Sequence, residues 1–380
     1  ALFEAEYPDY RVEVLHAPYP DFADKLTTMI AAGTEPDVIP LQTYISHGIA
    51  LDFRPYIERD NWQPDDILSS FIERRPWWRG PSGEIFAIPF GFALPITMYN
   101  KDLLAQAGVP VPTVDWDDAG WTWSDWVESL RRTTRDINGD GVVDQYGTDE
   151  FNPWDLAFPI FGARFFSEDL ARFEGNSAQG IRALEALHEL IHRFDVWAVG
   201  NKGFPGSFWT GSVAMRVSGS HELFHARNRD LGFTFDIAPT PRAERRATYF
   251  WVDPLVVSAR SPHPDAVWEW VKFLMRPEIM QIYVVEGHGK IPASQDLIPW
   301  FSDGAGGIFP SDLSARLLLE GVTYDAIDVA PWNGGPAPFG EIYSMLTNDV
   351  WFPVVNGTEA PAQLLEKIAP VIQAKLDEGN

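Results

Sequence analysis

Three sets of residues in this 380-residue chain have types and spacings that can do chemistry. The first is His188-Glu189-Leu190-Ile191-His192. Histidines at i and i+4 share one helical face and can share a zinc ion, with the glutamate between them as general base of a protease. Such a centre needs a third ligand, and Val199 and Asn201 stand where a longer motif would continue. The second set is Asp136-Ile137-Asn138-Gly139-Asp140-Gly141-Val142-Val143-Asp144. Side-chain oxygens of Asp136, Asn138, Asp140 and Asp144, the Val142 carbonyl and a glycine at the sixth position follow the first three quarters of a calcium loop. Gly147 stands where a bidentate glutamate would close it, so closure falls to Asp149, Glu150 or water. The spacing predicts a structural Ca²⁺ that pins a loop; the competing reading is an Asx-rich turn without metal. The third set is dispersed: Asp115, Asp117, Glu222 and Asp253 could supply the two carboxylates of a glycan-active hydrolase, about 5 to 10 Å apart. No motif singles out a pair, and no Gly-x-Ser-x-Gly nucleophile turn occurs. The chemistry requires no cofactor.

A different use of side chains fits the composition better. The chain carries 16 Trp and is 14% aromatic. Burying a neutral sugar needs a hydrogen-bond partner for each hydroxyl and a flat apolar surface for each C–H face. Trp, Tyr and Phe supply the surface, and Asp, Glu, Asn and Gln the partners. The ring candidates lie at the ends of expected strands: Phe90, Phe92, Trp154, Trp251, Trp332 and Phe339. The polar candidates are Gln42 and Tyr44, His221 and Glu222, Asp253 and Asn333. Each competes with a plainer role, core packing for the rings and a helix-start carboxylate for Glu222.

The elements that must position these groups alternate. Tyr10 to Val14 alternates like a strand, and Phe22, Leu26 and Ile30 mark a helix from Pro20 to Ala32 stopped by Gly33. Asp37-Val38-Ile39 is a short apolar run suited to a buried parallel strand, which completes a βαβ unit. Ile85 to Pro89 and Leu255 to Val257 read as strands. Helices are expected over Leu103–Gly108, over Trp123–Thr134 behind a Thr122 or Ser124 cap, along the face Ile181, Leu184, Leu187, Leu190, Ile191 and Phe194, and over Pro264–Met275. The last, with Ala362, Leu365, Ile368, Ile372 and Leu376, should kink at Pro370. The Pro/Gly-rich stretches 302–310 and 331–340 read as ordered loops, the first as a crossover between lobes. Strand–helix alternation over a chain too long for one core predicts an α/β protein of two lobes.

Charge and cysteine content narrow the classes further. A net charge of −25 with no Lys/Arg run excludes a nucleic-acid partner, which needs a basic patch. No cysteine is present, so disulfides and thiol chemistry are excluded. No apolar run reaches the ~18 residues of a membrane span.

Several blocks, in order along nearly the whole chain, resemble the extracellular solute-binding proteins of carbohydrate ABC importers, the maltose-binding-protein type. They are Phe3-Glu4-Ala5-Glu6-Tyr7-Pro8, Asp21 to Leu26 running into Ile30 to Ile39, Ala87-Ile88-Pro89-Phe90 leading to Met98 to Leu103, Gly211 to Met215 with Ser218-Gly219-Ser220, Ala266 to Glu278, and Gly287 to Ser294. The resemblance implies a type II periplasmic-binding-protein-like fold, two α/β lobes joined by a multi-strand hinge, with a carbohydrate bound in the cleft between them. It implies lobes of residues 1–94 plus 253–303 and of 95–252 plus 304–380. It places Trp154 and Phe339 at stacking positions and Trp251 at the second hinge crossing, and sets His221 where an aromatic is usual. It further implies no enzymatic activity, a monomer that docks on an ABC membrane permease, and an extracytoplasmic location, periplasmic or lipid-anchored. The family pattern also starts with a strand ahead of Phe3, so a segment preceding Ala1 is expected.

Overall fold

The run from Ile88 to Asn100 contains no charged residue and holds two strands, Ile88–Ala93 (β2) and Pro95–Asn100 (β3), fully buried and separated by Leu94 alone. They belong to different sheets. In this computed structural model, which describes every residue except 17–18, 63–75, 200–203, 227–229, 287–289, 298, 301–302, 304–312, 324–337 and 380, one sheet runs β1 (Val38–Ile39), β7 (Trp251–Val257), β2 and β8 (Ile291–Pro292). The other runs β4 (Tyr146–Phe151), β5 (Val213–Gly219), β3 and β6 (Phe235–Ala238). The chain passes from the first sheet to the second at Leu94 and returns between β6 and β7. The helix Arg316–Thr323 closes on the first crossing. Trp116 donates its indole N–H to the Leu317 carbonyl (2.9 Å), and Gly321 lies so close to Leu94 that any side chain there would strike it.

Helices cover these sheets where the apolar period predicts. Thr122 caps Trp123–Thr133 in a reciprocal capping box with Asp125, satisfying two otherwise orphaned N–H groups. Asn100 caps Lys101–Ala107 and Gly108, at φ +62°, ends it. Ala178–His192 buries Leu184, Leu187, Leu190 and Ile191, and packs with the C-terminal helix Pro361–Gly379 against the second sheet.

Some expectations require correction. Residues 10–14 form no ladder. They instead line a groove of about 850 Å³ whose far wall is Val38, Ile39 and the helix Pro264–Leu274. Alternation marks a strand, but a strand needs a hydrogen-bonding neighbour. Val38–Ile39 pairs antiparallel with β7, not in parallel; the parallel pair is β4 with β5. Ile85 makes an isolated bridge to Arg79, and its strand begins at Ile88. As expected, the C-terminal segment is a helix, Pro361–Gly379, with Pro370 inside it. Stretch 302–310 and most of 331–340 lie outside the described residues, as do Trp332 and Asn333.

Candidate functional site

β5 reads Val213-Ala214-Met215-Arg216-Val217, an apolar strand interrupted by one cation. A charge in such a strand must find partners, because its desolvation is otherwise uncompensated. Arg216 finds three. Its Nε meets Asp149 at 3.1 Å, one terminal nitrogen meets Glu150 at 2.9 Å and the other meets Glu222 at 2.5 Å. The parallel pairing of β4 with β5 sets Asp149 and Glu150 beside Arg216. Ser220–Ala226, a 3-10 turn directly after β5, returns Glu222 to the same guanidinium. Further donors hold the acids in place: the Phe208 amide to Asp149 (2.9 Å), the Trp209 indole to Glu222 (3.2 Å) and the Ser218 hydroxyl to Glu222 (2.6 Å).

Three carboxylates around one guanidinium leave more negative than positive charge. Burial, reinforced by the Glu222 and Asp149 charges, pushes Glu150 up to about 7 despite Arg216. Burial likewise raises Asp149. Burial also opposes ionisation of Glu222, but the Arg216 charge and the Ser218 and Trp209 donors outweigh it and hold its carboxyl below the ordinary range. The cluster therefore keeps Glu222 ionised and shares a proton near neutral pH at Glu150.

The neighbouring wall comes from the first sheet. Trp251 and Asp253, on β7, are half-buried. His221 lies edge-on to Trp251, ring centres 5.8 Å apart. Burial and the nearby Lys290 charge hold the His221 imidazole below its usual range, so it is a neutral ring at pH 7. Gly219 is required between them: any side chain there would overlap the His221 ring and press on Trp251. Lys290 pairs with Asp253 at 3.4 Å, and the Tyr283 hydroxyl donates to the same carboxylate at 3.4 Å. Rings and hydrogen-bonding groups from both sheets thus meet at one junction: Trp251, Asp253 and Lys290 from one side, His221, Glu222, Arg216 and Trp209 from the other. Tyr249 continues the wall from Trp251 (5.1 Å, edge-on) toward Asp155, whose charge reinforces the effect of burial on the Tyr249 hydroxyl.

The remaining expected site residues lie deeper. Trp154 is 5% exposed, stacked on Trp351 at 5.5 Å and edge-on to Phe165. Phe339 is buried edge-on to Phe166. Tyr44 and Phe92 have no exposed surface; Tyr44 donates its hydroxyl to the Pro36 carbonyl and Phe92 packs edge-on against Phe250. Their role here is packing, because a ring with no exposed face offers nothing to a ligand. Phe90 is buried against Tyr283. The Gln42 side-chain carbonyl accepts from the indoles of Trp77 (3.1 Å) and Trp78 (2.6 Å).

Among the described residues no group of three His, Asp or Glu converges on a metal position. His192 Nε2 pairs with the Val354 carbonyl (2.8 Å), and Glu189 is tied to Arg193. The helix that carries both histidines packs on the C-terminal helices. In the 136–144 loop the oxygens accept backbone amides: Asp136 from Gly139 and Gly141, Asn138 from Asp140, Asp140 from Val142, Asp144 from Ile137 and Asn138. Asp149 and Glu150, the expected closers of that loop, point to Arg216 instead.

Arg216, Trp209, Lys290 and Tyr283 were not legible as site residues from motifs. The available signals were the lone arginine in an apolar strand and the acidic pair within Tyr146–Phe151.

Comparison with known proteins agrees with this geometry. A family model described as bacterial extracellular solute-binding protein matches residues 1–281. A Brucella abortus protein whose name gives it as a candidate binding protein is 31% identical over 312 residues, covering 77% of this chain and 71% of the relative. The galactooligosaccharide-binding protein of Bacillus subtilis is 22% identical over 99% of this chain and 85% of its own length. The ABC substrate-binding protein of Listeria monocytogenes solved with cycloalternan superposes with a TM-score of 0.79 at 23% identity, over 100% of this chain and 93% of that one. At that identity the superposition establishes the two-lobed binding-protein fold.

Proposed function

The chain belongs to the bacterial extracellular solute-binding proteins, and from this premise we propose that it captures a sugar or oligosaccharide between its two sheets and delivers it, unaltered, to an ABC membrane permease. The observation that carries the reading is the junction where Trp251 and Asp253 of β7 face His221 and Glu222 behind β5. A sugar offers C–H faces to rings and hydroxyls to carboxylates, and this junction holds both, drawn from two sheets joined by short crossings. The names of the Bacillus relative and the ligand of the Listeria neighbour support the same class.

On this reading one lobe comprises residues 1–94 and 253–303, the other 95–252 and 304–380. They pivot about Leu94 and about the return into β7. Trp251, His221, Glu222 and Asp253 touch the ligand; Gln42, Phe90 and Trp154 shape the walls behind it. The protein acts as a monomer outside the cytoplasmic membrane, free or lipid-anchored. No helix among the described residues is long and apolar enough to cross a membrane.

A thermal-shift panel of neutral oligosaccharides tests the proposal. A ligand that binds only the folded protein at 100 times its dissociation constant adds about 2.7 kcal/mol. Chromatography should then recover that ligand intact. A panel without any stabilising sugar, or cleavage of the sugar, would reject the reading.

A further inference from the structure

Among the described residues, the two cations of the junction, Arg216 and Lys290, are already paired. Arg216 spends all three of its outward nitrogens on Asp149, Glu150 and Glu222, at 3.1, 2.9 and 2.5 Å. Their side chains are no more than about a quarter exposed, so water screens these pairs weakly. Lys290, on the opposite wall, is paired with Asp253 at 3.4 Å, with Tyr283 donating to the other oxygen. His221 is a neutral ring between them.

Resting on the carbohydrate reading, we infer that Glu150 and Glu222 are specificity-determining residues that withhold Arg216 from the ligand, so that the site admits neutral sugars and rejects those carrying a carboxylate or phosphate. A guanidinium is the usual partner of such anions because it meets two oxygens at once. Here its donors face protein carboxylates. An anionic sugar entering the junction would lie beside Glu222 and Asp253 with no cation among the described junction residues free to compensate, and like charges brought together at an interface cost several kcal/mol. At 1.4 kcal/mol per tenfold, that is a discrimination of about 100-fold or more. The neutral hydroxyls of an ordinary sugar meet no such penalty, since Glu222 and Asp253 accept from them.

The test compares matched ligands by isothermal titration calorimetry. Maltose, cellobiose and galactobiose are each measured beside the analogue in which one primary alcohol is oxidised to a carboxylate. The unmodified protein should bind at least one neutral sugar about 100-fold or more tightly than its acidic counterpart. In Glu150→Gln/Glu222→Gln, which releases two faces of Arg216, that ratio should fall at least tenfold. A purely structural role would weaken both members of a pair alike and leave the ratio unchanged. Asp253→Asn, which releases Lys290 from the other wall, gives a second reading should the double variant not fold, as judged by circular dichroism, and should also lower the ratio. An acidic sugar bound as tightly as its neutral partner, or a ratio unchanged in the folded variants, overturns the inference while leaving sugar binding intact. Failure of all six ligands to bind overturns the inference together with the carbohydrate reading beneath it.

Discussion

Two acidic segments lie a few residues apart in this chain and behave oppositely. Residues 136–144 carry a pattern that resembles a metal loop, stand exposed, and direct their oxygens to their own backbone amides. Asp149 and Glu150 carry no pattern, lie on a buried strand, and reach across to Arg216 and Glu222. The first segment makes local contacts that water could replace. The second makes long-range contacts from which water is largely excluded. The difference teaches that spacing along the chain reports local turns well, whereas a functional constellation assembled from β4, β5 and β7 leaves only single-residue traces, such as a charge in an apolar strand.

The contrast can be broken at its strongest point first. Arg216→Met should cost about 3–5 kcal/mol, because it strands buried carboxylates without their counter-charge. Chemical denaturation should show a lower midpoint with an unchanged slope. An equal loss from any substitution within 136–144 would erase the distinction between the two segments.

A pH series comes next. Glu150 titrates near 7 in the folded protein and near 4.5 when unfolded. Between those values the folded state holds more protons, so acidification from pH 8 toward 5 should strengthen folding through this group. Glu222 works the other way: its lowered value gives stability above the unfolded pKa that is lost as pH falls through its folded pKa. Glu150→Gln should remove the gain on acidification, on the order of 1–2 kcal/mol once screening and the opposing glutamate are counted. Melting temperatures at pH 8 and pH 5.5 for both proteins would show it, and an identical pH response in the two would contradict it.

The exposed loop sets the lower end of the scale. Asp136→Ala removes the acceptor for the Gly139 and Gly141 amides, which water can then reach, so the expected cost is about 1 kcal/mol. Calcium should act least. With the loop oxygens engaged by six amide donors, millimolar Ca²⁺ is expected to move the melting temperature by less than about 2 °C. A larger rise, abolished by chelator and absent from Asp136→Ala, would make the loop a metal site and reverse the comparison.

Much of the fold is legible in the sequence, for specific physical reasons. Trp123–Thr133 shows itself through Thr122 and Asp125, and Ala178–His192 through a stripe of leucines, because caps and 3.6-residue periods are local properties. Strand partners are not local. Val38–Ile39 gives no sign in sequence that its neighbour is β7 running antiparallel, and residues 10–14 alternate without finding a neighbour among the described residues. The same limit governs the site. Trp154 and Trp251 both stand in short loops or strand ends rich in aromatics. Trp154 is roofed by Trp351, almost 200 residues away along the chain, and Trp251 is not. His221 and Glu222 are legible from their place after β5 and Asp253 from its place ahead of the apolar run Leu255–Val257, while Arg216 requires knowing which acids face it.

A crystal structure of the protein grown with whichever neutral oligosaccharide stabilises it most tests the central claim directly. The account predicts a sugar ring against the Trp251 indole, hydroxyls donated to Glu222 or Asp253, and the two sheets drawn together over it. A sugar bound elsewhere, with Trp251 and Glu222 both beyond contact distance, would contradict it.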